Sequence, residues 1–194
     1  MQRPSIRRPT RSAVFLAINA AVMAFAACDA GGGADAPAPP TSSIAFDTGE
    51  VRIETAADTF ELEVEIAERP EQRSQGLMER LSMAEDAGMI FLFEREQPVG
   101  AGFYMYRTRI PLDIAFIDEN GRIIAILAME PCASPNPATC PRYSPNAPYH
   151  ATLEVNSGYF ARHGIGVGDR VTLRRGGAVA WPPADGTPSP TSME

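Results

Sequence analysis

The sequence predicts a mainly β protein of the α+β class. We expect a single compact domain of seven to eight short strands, forming a small barrel or sandwich, with one or two short helices. Residues Phe60–Ile66 alternate between apolar and acidic side chains, which is typical of a strand with one buried face. Asn120-Gly121 separates two apolar stretches and indicates a tight hairpin turn. An alternating order of strands and helices, the mark of a parallel α/β fold, is missing.

The first half of the domain contains three predicted strands and one helix. Val51 and Ile53 precede the alternating strand and suggest its hairpin partner. Pro70 opens a predicted helix over Glu71–Arg80, with acids in its first turn and arginine in its last. The apolar stretch Gly88–Phe93 predicts a strand that is buried on both faces.

The second half contains the clearest hairpin, formed by Ile114–Asp118 and Arg122–Met129 around the Asn-Gly turn. Thr152–Val155 and Arg170–Leu173 complete the predicted strands, and a short helix near Gly158–His163 lies between them.

The chain divides into four predicted regions. Residues 1–12 contain four arginines and no acid, and the apolar stretch up to Ala27 would form about 22 Å of helix, shorter than a ~30 Å bilayer core. A short tether rich in glycine, alanine and proline follows. We therefore expect a signal peptide over 1–27, a lipidated cysteine and flexible tether over 28–43, the β domain over 44–181 and a disordered tail over 182–194.

Cys28 is the predicted site of lipidation. Small residues precede it in Phe25-Ala26-Ala27-Cys28, which resembles the lipobox of bacterial lipoproteins, with phenylalanine where leucine is usual. The alternative is an ordinary signal peptide that leaves Cys28 free. A lipidated Cys28 would anchor the chain to a bacterial membrane at its periplasmic face. Asp29 resembles the signal that retains lipoproteins on the inner membrane.

The charge balance restricts the partners. The chain has 17 basic and 24 acidic residues, and the four arginines of the leader would leave 13 against 24, a net charge of −11. Such an acidic body is repelled by phosphate backbones, which argues against nucleic-acid binding. The same repulsion disfavours direct docking on anionic lipid, so membrane attachment is assigned to the lipid on Cys28.

Cys132 and Cys140 are a predicted structural disulfide. An exported protein folds in an oxidising compartment, and the residues between the two cysteines are too rich in proline for a helix or a central strand. A metal pair and a redox pair remain alternatives, but this spacing matches neither a zinc motif nor C-x-x-C. We expect no metal and no cofactor.

Several segments occur in the order found in one bacterial family, and the chain resembles the family called domain of unknown function 192 over residues 58–175. The segments are Gln75–Arg80, Gly88–Phe93, Phe103–Met105, Ile110–Asp118, Leu153–Gly158 and Gly164–Val171. The resemblance implies a small, secreted or membrane-anchored β-rich domain without an assigned activity. This chain has Phe-Tyr-Met-Tyr-Arg-Thr over 103–108 where the family usually has Phe-Trp-Met-Lys-Asn-Thr, so Arg107 replaces an asparagine.

A predicted ligand site comprises polar or aromatic residues within these segments. Buried polar groups need partners, so a structural network is one interpretation. The other is the mouth of a pocket, in which arginine binds an anionic ligand and the carboxylates receive donors. The residues are Tyr104, Arg107, Asp113, Glu154 and Asn156.

Two functions from different classes follow from this set. The first is a non-enzymatic module that binds a small anionic or sugar-like envelope ligand, or an envelope protein. The second is an envelope hydrolase that uses Asp113 and Glu154 as acid and base. A cleft shared by both carboxylates would favour the enzyme, and a shallow aromatic surface would favour binding.

Processing at Cys28 is directly testable. We expect the mature chain to begin at acylated Cys28, and Cys28→Ser to remain unprocessed or to be released from membranes, because its thiol is the lipid acceptor. Intact-mass measurement checks this. A mature N-terminus elsewhere, without acyl mass, would contradict it.

Overall fold

The computed structural model describes residues 44–183, so the predicted leader, Cys28, the tether and residues 184–194 of the tail lie outside the described part. Within it the fold is mainly β, as predicted, with eight strands in one sheet and two short α-helices. The elements are β1 (Asp47–Glu54), β2 (Thr59–Ala67), α1 (Pro70–Gln75), β3 (Ala87–Gln97), β4 (Leu112–Ile117), β5 (Ile123–Met129), β6 (Tyr149–Asn156), α2 (Tyr159–Arg162), β7 (Arg170–Arg175) and β8 (Ala178–Trp181).

The strand order is β5-β4-β6-β3-β2-β1-β7-β8, so β4, β6 and β3 are consecutive neighbours and none of them is an edge strand. All neighbouring strands are antiparallel except β2 and β3, which are parallel and joined through α1. The sequence did not predict this crossover. A parallel pair needs a long connection, and residues 68–86 supply it.

The sheet does not close into a barrel, so the barrel alternative is wrong and a sandwich-like domain fits. Strand β5 is at one end of the sheet and β8 is at the other. A single bridge, between Arg122 and Arg170, links the turn before β5 to the start of β7. Without a continuous ladder between β5 and β7 the sheet remains open.

Strands β3, β4 and β6 are buried on both faces, and their alternating side chains form two cores. The first face has Ala115 and Ile117 of β4 beside Leu153 and Val155 of β6, and it is covered partly by α2. The second face has the opposite residues, including Phe116 of β4. This second core also contains Leu77, Met105, Phe91 and Tyr149, of which the first two come from loops.

Three details differ from the prediction: the end of the helix, the type of the hairpin turn and the start of the tail. The helix ends at Gln75 and not at Arg80, because Gly76 caps it at φ 46° and donates its N–H to the Gln72 carbonyl. The hairpin forms, but only Gly121 of the Asn-Gly pair has a positive φ, so the turn is not the two-residue type expected. Pro182 is buried against Gly121, so the ordered chain extends past the predicted start of the tail.

Among residues 44–183, no helix is long and apolar enough to span a membrane.

The predicted disulfide joins Cys132 and Cys140, whose Cα atoms are 5.7 Å apart. It closes the loop after β5, which contains a single 3-10 turn at Pro137–Thr139. Cys140 is buried, and the Cys132 N–H donates to the Met105 carbonyl. The disulfide therefore closes the loop, and the hydrogen bond from Cys132 fastens it to the segment of Met105, which covers the second face.

Replacing both cysteines by alanine should lower the free energy of unfolding by about 2–3 kcal/mol, because the closed loop restricts the unfolded chain. We expect the variant to keep its fold, since the sheet contains neither cysteine. Urea denaturation followed by circular dichroism measures the change. Loss of the native spectrum in the absence of urea would contradict this expectation.

Candidate functional site

The most unusual backbone in the described chain lies at Glu79 and Arg107. They are the two non-glycine residues with positive φ among residues 44–183, at 62° and 56°. The N–H of Glu79 donates to the carbonyl of Arg107 at 2.8 Å, so the two strained residues meet. Left-handed conformations cost side-chain-bearing residues free energy and cluster at functional sites. This junction is therefore a candidate site.

The two side chains extend the contact. The Nε of Arg107 donates to one carboxylate oxygen of Glu79, and the Nε of Arg109 donates to the other, each at 2.6 Å. The hydrogen bond from Arg107 is the largest cause that lowers the pKa of Glu79, followed by that from Arg109. The carboxylate is therefore ionised at neutral pH and is shared by two guanidinium groups.

Two tyrosines and a third arginine continue this surface. The ring centroids of Tyr104 and Tyr106 are 6.4 Å apart, and the guanidinium of Arg142 lies over the Tyr104 ring at 5.9 Å. Tyr106 also raises the pKa of Arg107, after the larger contribution of Glu79. We call these residues the arginine–tyrosine surface, and its members are Glu79, Tyr104, Tyr106, Arg107, Arg109 and Arg142.

Alternation along an extended segment produces this surface. Phe103 stacks on Phe91 and Phe116 of the second core, with centroids 5.0 and 6.1 Å away, and Met105 is also buried. Tyr104 between them therefore projects outward. The segment is fixed by mutual backbone hydrogen bonds between Phe103 and Tyr143.

Asp113 lies elsewhere. It is buried on β4, and its Oδ2 accepts a hydrogen bond from the N–H of Gly158 at 2.9 Å. Burial raises its pKa, whereas the contacts with Gly158, Arg162 and Ser157 lower it. Since Arg107 pairs with Glu79, the expected grouping of Arg107 with Asp113 is wrong. The physical reason is that Asp113 caps the turn between β6 and α2.

Glu154 is a buried carboxyl group on β6, between Met89 of β3 and Ile114 of β4. Burial raises its pKa to about 8. The hydroxyl of Thr152, on the same face, is buried without a hydrogen-bond partner. Glu154 is thus neutral at neutral pH and lies within the second core.

The two carboxyl groups lie on opposite faces of the sheet. Asp113 pairs with Val155 across the β4–β6 ladder, and Glu154 pairs with Ile114. Residues paired across strands share a face, and successive residues alternate. Asp113 and Glu154 therefore cannot serve as acid and base on one substrate.

Asn156 has a structural role. Its Nδ2 donates to the carbonyls of Met83 and Ala84, at 3.3 and 2.8 Å. It thereby fastens the segment before β3 over the second face. Of the five predicted site residues, only Tyr104 and Arg107 belong to one surface.

Sequence reasoning missed Glu79, Tyr106, Arg109 and Arg142. Arg109 lies two residues from Arg107, but its partner Glu79 is 30 residues away along the chain. No periodicity links such positions. Within residues 44–183, no group of three or more histidine, cysteine, aspartate or glutamate residues is placed to hold a metal ion.

A cleft of about 790 Å³ is lined by residues of β1 and β2 and of the segment between α1 and β3. Its lining includes Glu50, Glu63 and Glu65, with Arg80 and Arg174. Arg80 pairs with Glu65, and Arg174 lies 3.8 Å from Glu50. The predicted acidic face of β2 is therefore partly neutralised by arginines.

The fold and the surface define a compact, mainly β domain whose polar loops are clamped over an open sheet. The chain belongs to the family of domain of unknown function 192, described as "Uncharacterized ACR", which matches residues 51–173. No curated protein matches the chain significantly.

Two solved structures are similar. A putative transcription regulator from Sinorhizobium meliloti 1021 is 35% identical, with a TM-score of 0.60, over 68% of this chain and 98% of that chain. A protein of unknown function from Novosphingobium aromaticivorans DSM 12444 is 32% identical, with a TM-score of 0.57, over 71% of this chain and 93% of that chain.

The left-handed backbone explains the residue that the family usually has at position 107. Asparagine adopts positive φ more readily than other side chains, because its short amide bonds to the local backbone. Arg107 adopts the same conformation at φ 56° and gains an ion pair with Glu79. This backbone conformation fits the asparagine that the family resemblance implies at position 107.

Substitutions at position 107 test this strain. Arg107→Val should lower the free energy of unfolding by about 1–2 kcal/mol relative to Arg107→Asn, because a β-branched side chain resists positive φ. Both variants lose the exposed ion pair with Glu79, so this loss cancels in the difference between their free energies of unfolding. The same two substitutions at Arg109, which has no positive φ, are the control and should not differ in this way. Equal stabilities at position 107 would contradict the account.

Glu154 should make stability depend on pH. Its folded pKa of about 8 lies above the ordinary value of 4.5, so the folded state retains the proton that the unfolded state loses. The stability that this group contributes is therefore greatest below about pH 4.5, falls as the pH rises through about 8, and levels off above that. At pH 9, Glu154→Gln should be more stable than the wild type by an amount on the order of a few kcal/mol.

Urea denaturation between pH 5 and pH 9 measures the difference, with exposed Glu61→Gln on β2 as the control. Parallel profiles for wild type and Glu154→Gln would show that Glu154 is ionised in the folded protein.

Proposed function

We propose that this chain is a non-enzymatic binding module, held at the periplasmic face of a bacterial membrane by a lipid on Cys28. Its ligand is an anionic, sugar-like component of the envelope, bound at the arginine–tyrosine surface. A tether of 15 residues reaches at most about 50 Å, so this ligand lies close to the membrane. The signal Asp29 favours the inner membrane.

The observation that carries the proposal is the local excess of arginine on an acidic protein. The surface has three guanidinium groups and one carboxylate, whereas the mature chain would have 13 basic and 24 acidic residues. Arg142 lies over a tyrosine ring and forms no ion pair with an acid among residues 44–183. Arginine binds carboxylate and phosphate through paired hydrogen bonds, which suits an anionic ligand.

The tyrosines supply the second half of the recognition. Tyr104 is 36% exposed beside Tyr106, so the surface offers aromatic rings at the position where an anion would bind. An aromatic ring presents an apolar face with a polar edge, which fits the face of a sugar ring. A shallow surface of this kind favours binding over catalysis.

The hydrolase alternative lacks support, because Asp113 and Glu154 project to opposite faces of the sheet. Nucleic acid also fits poorly as a partner. The similar protein from Sinorhizobium meliloti is described as a putative transcription regulator, and that description applies to that protein. For this chain, the net negative charge would repel a polyphosphate backbone over most of its surface.

Binding of galacturonate oligomers to the domain of residues 44–183 tests the proposal, with neutral galactose oligomers as the matched ligand. Isothermal calorimetry should detect the acidic oligomer only. Arg142→Gln and Tyr104→Ala should each weaken binding about tenfold, as expected for the loss of one charge-assisted or stacking contact.

Arg95→Gln is the control variant, because Arg95 is exposed on β3 outside the surface, and it should bind as the wild type does. Equal binding of neutral and acidic oligomers, or equal losses in Arg95→Gln and Arg142→Gln, would falsify the proposal.

A further inference from the structure

Glu79 occupies only part of the donors that Arg107 and Arg109 carry. Arg107 uses its Nε, and both of its Nη atoms have no partner among residues 44–183. Arg109 uses its Nε and Nη2, which leaves Nη1. Their side chains are 56% and 57% exposed, so the remaining donors reach solvent. The two guanidinium groups that share the Glu79 carboxylate therefore each present remaining N–H donors to solvent.

The carboxylate itself is held more firmly than the arginines. Glu79 is 31% exposed, and its own N–H is bonded to the Arg107 carbonyl. Both residues have left-handed backbones that the packed loops must maintain. Glu79 therefore fixes the spacing and orientation of the two guanidinium groups before a ligand arrives.

We propose that Glu79 is a positioning residue that holds Arg107 and Arg109 as a clamp for the phosphate monoester of a saccharide. This deepens the proposed function and rests on it. The clamp has a net charge of +1, from two arginines and one carboxylate. Tyr104 and Tyr106 lie beside it and contact the sugar ring.

The shape of the clamp selects the phosphate. A planar carboxylate has two oxygens and matches the fork of a single guanidinium. A phosphate monoester has three terminal oxygens that point in different directions, so it accepts hydrogen bonds from two guanidinium edges at once. Preorganised donors lose little side-chain entropy on binding, and this advantage depends on Glu79.

The test compares three probes by calorimetry on the full chain: glucose 1-phosphate, the dicarboxylate glucarate and neutral glucose. The two anions have similar charge, so their ratio of affinities reports geometry. We expect glucose 1-phosphate to bind more tightly than glucarate, and glucose not to bind. Glu79→Gln should weaken glucose 1-phosphate about tenfold and bring the ratio close to one.

A spectroscopic readout separates positioning from general stability. The Nε–H resonances of Arg107 and Arg109 should be protected from exchange in the wild type and lose protection in Glu79→Gln. Glu71→Gln, which removes an exposed ion pair with Arg69 on α1, is the matched control and should change neither affinity nor resonances.

Each outcome decides the proposal. If no anionic saccharide, galacturonate oligomers included, binds the wild type, the proposed function fails and this inference with it. If galacturonate oligomers bind but glucarate equals glucose 1-phosphate, or Glu79→Gln leaves the ratio unchanged, only the clamp is wrong. If Glu79→Gln strengthens binding, Glu79 competes with the ligand and the positioning role is overturned.

Discussion

Burial of the central strands on both faces is the constraint on which the rest of the structure depends. Strands β3, β4 and β6 carry apolar side chains toward both cores, so each face needs a covering layer. On the first face, α2 supplies part of that layer. On the second face the cover includes loops, which have few internal backbone hydrogen bonds and form others with one another.

The contacts within this cover meet that need and also form the arginine–tyrosine surface. Asn156 holds the segment before β3, and the N–H of Cys132 joins the segment after β5 to the segment between β3 and β4. The backbones of Glu79 and Arg107 join the segment before β3 to the segment between β3 and β4. Because inward residues of the cover fill the second core, the intervening residues face solvent. Tyr104 is exposed for this reason, so packing on one side of a segment determines which side chains the other side presents to solvent.

The sequence predicted the parts of the fold that depend on local pattern. Alternation identified β2, and the apolar segments identified β3 and the β4–β5 hairpin. The parallel pairing of β2 with β3 was not predictable, because it depends on residues 68–86 crossing the sheet. Of the members of the arginine–tyrosine surface, the sequence predicted only Tyr104 and Arg107. Glu79, the partner of Arg107, is distant in sequence. The two residues meet through left-handed backbone conformations that no residue pattern predicts.

Hydrogen exchange of individual amides tests most directly whether clamped loops form a fixed cover over the second face. The informative amides belong to Glu79, Phe103, Cys132 and Tyr143, each of which donates to a carbonyl of another covering segment. The account predicts protection in the range of the β3 and β6 amides, because opening the cover exposes the second core. Exchange as fast as at the exposed Gly100 turn would contradict it and would leave the arginine–tyrosine surface without a fixed geometry.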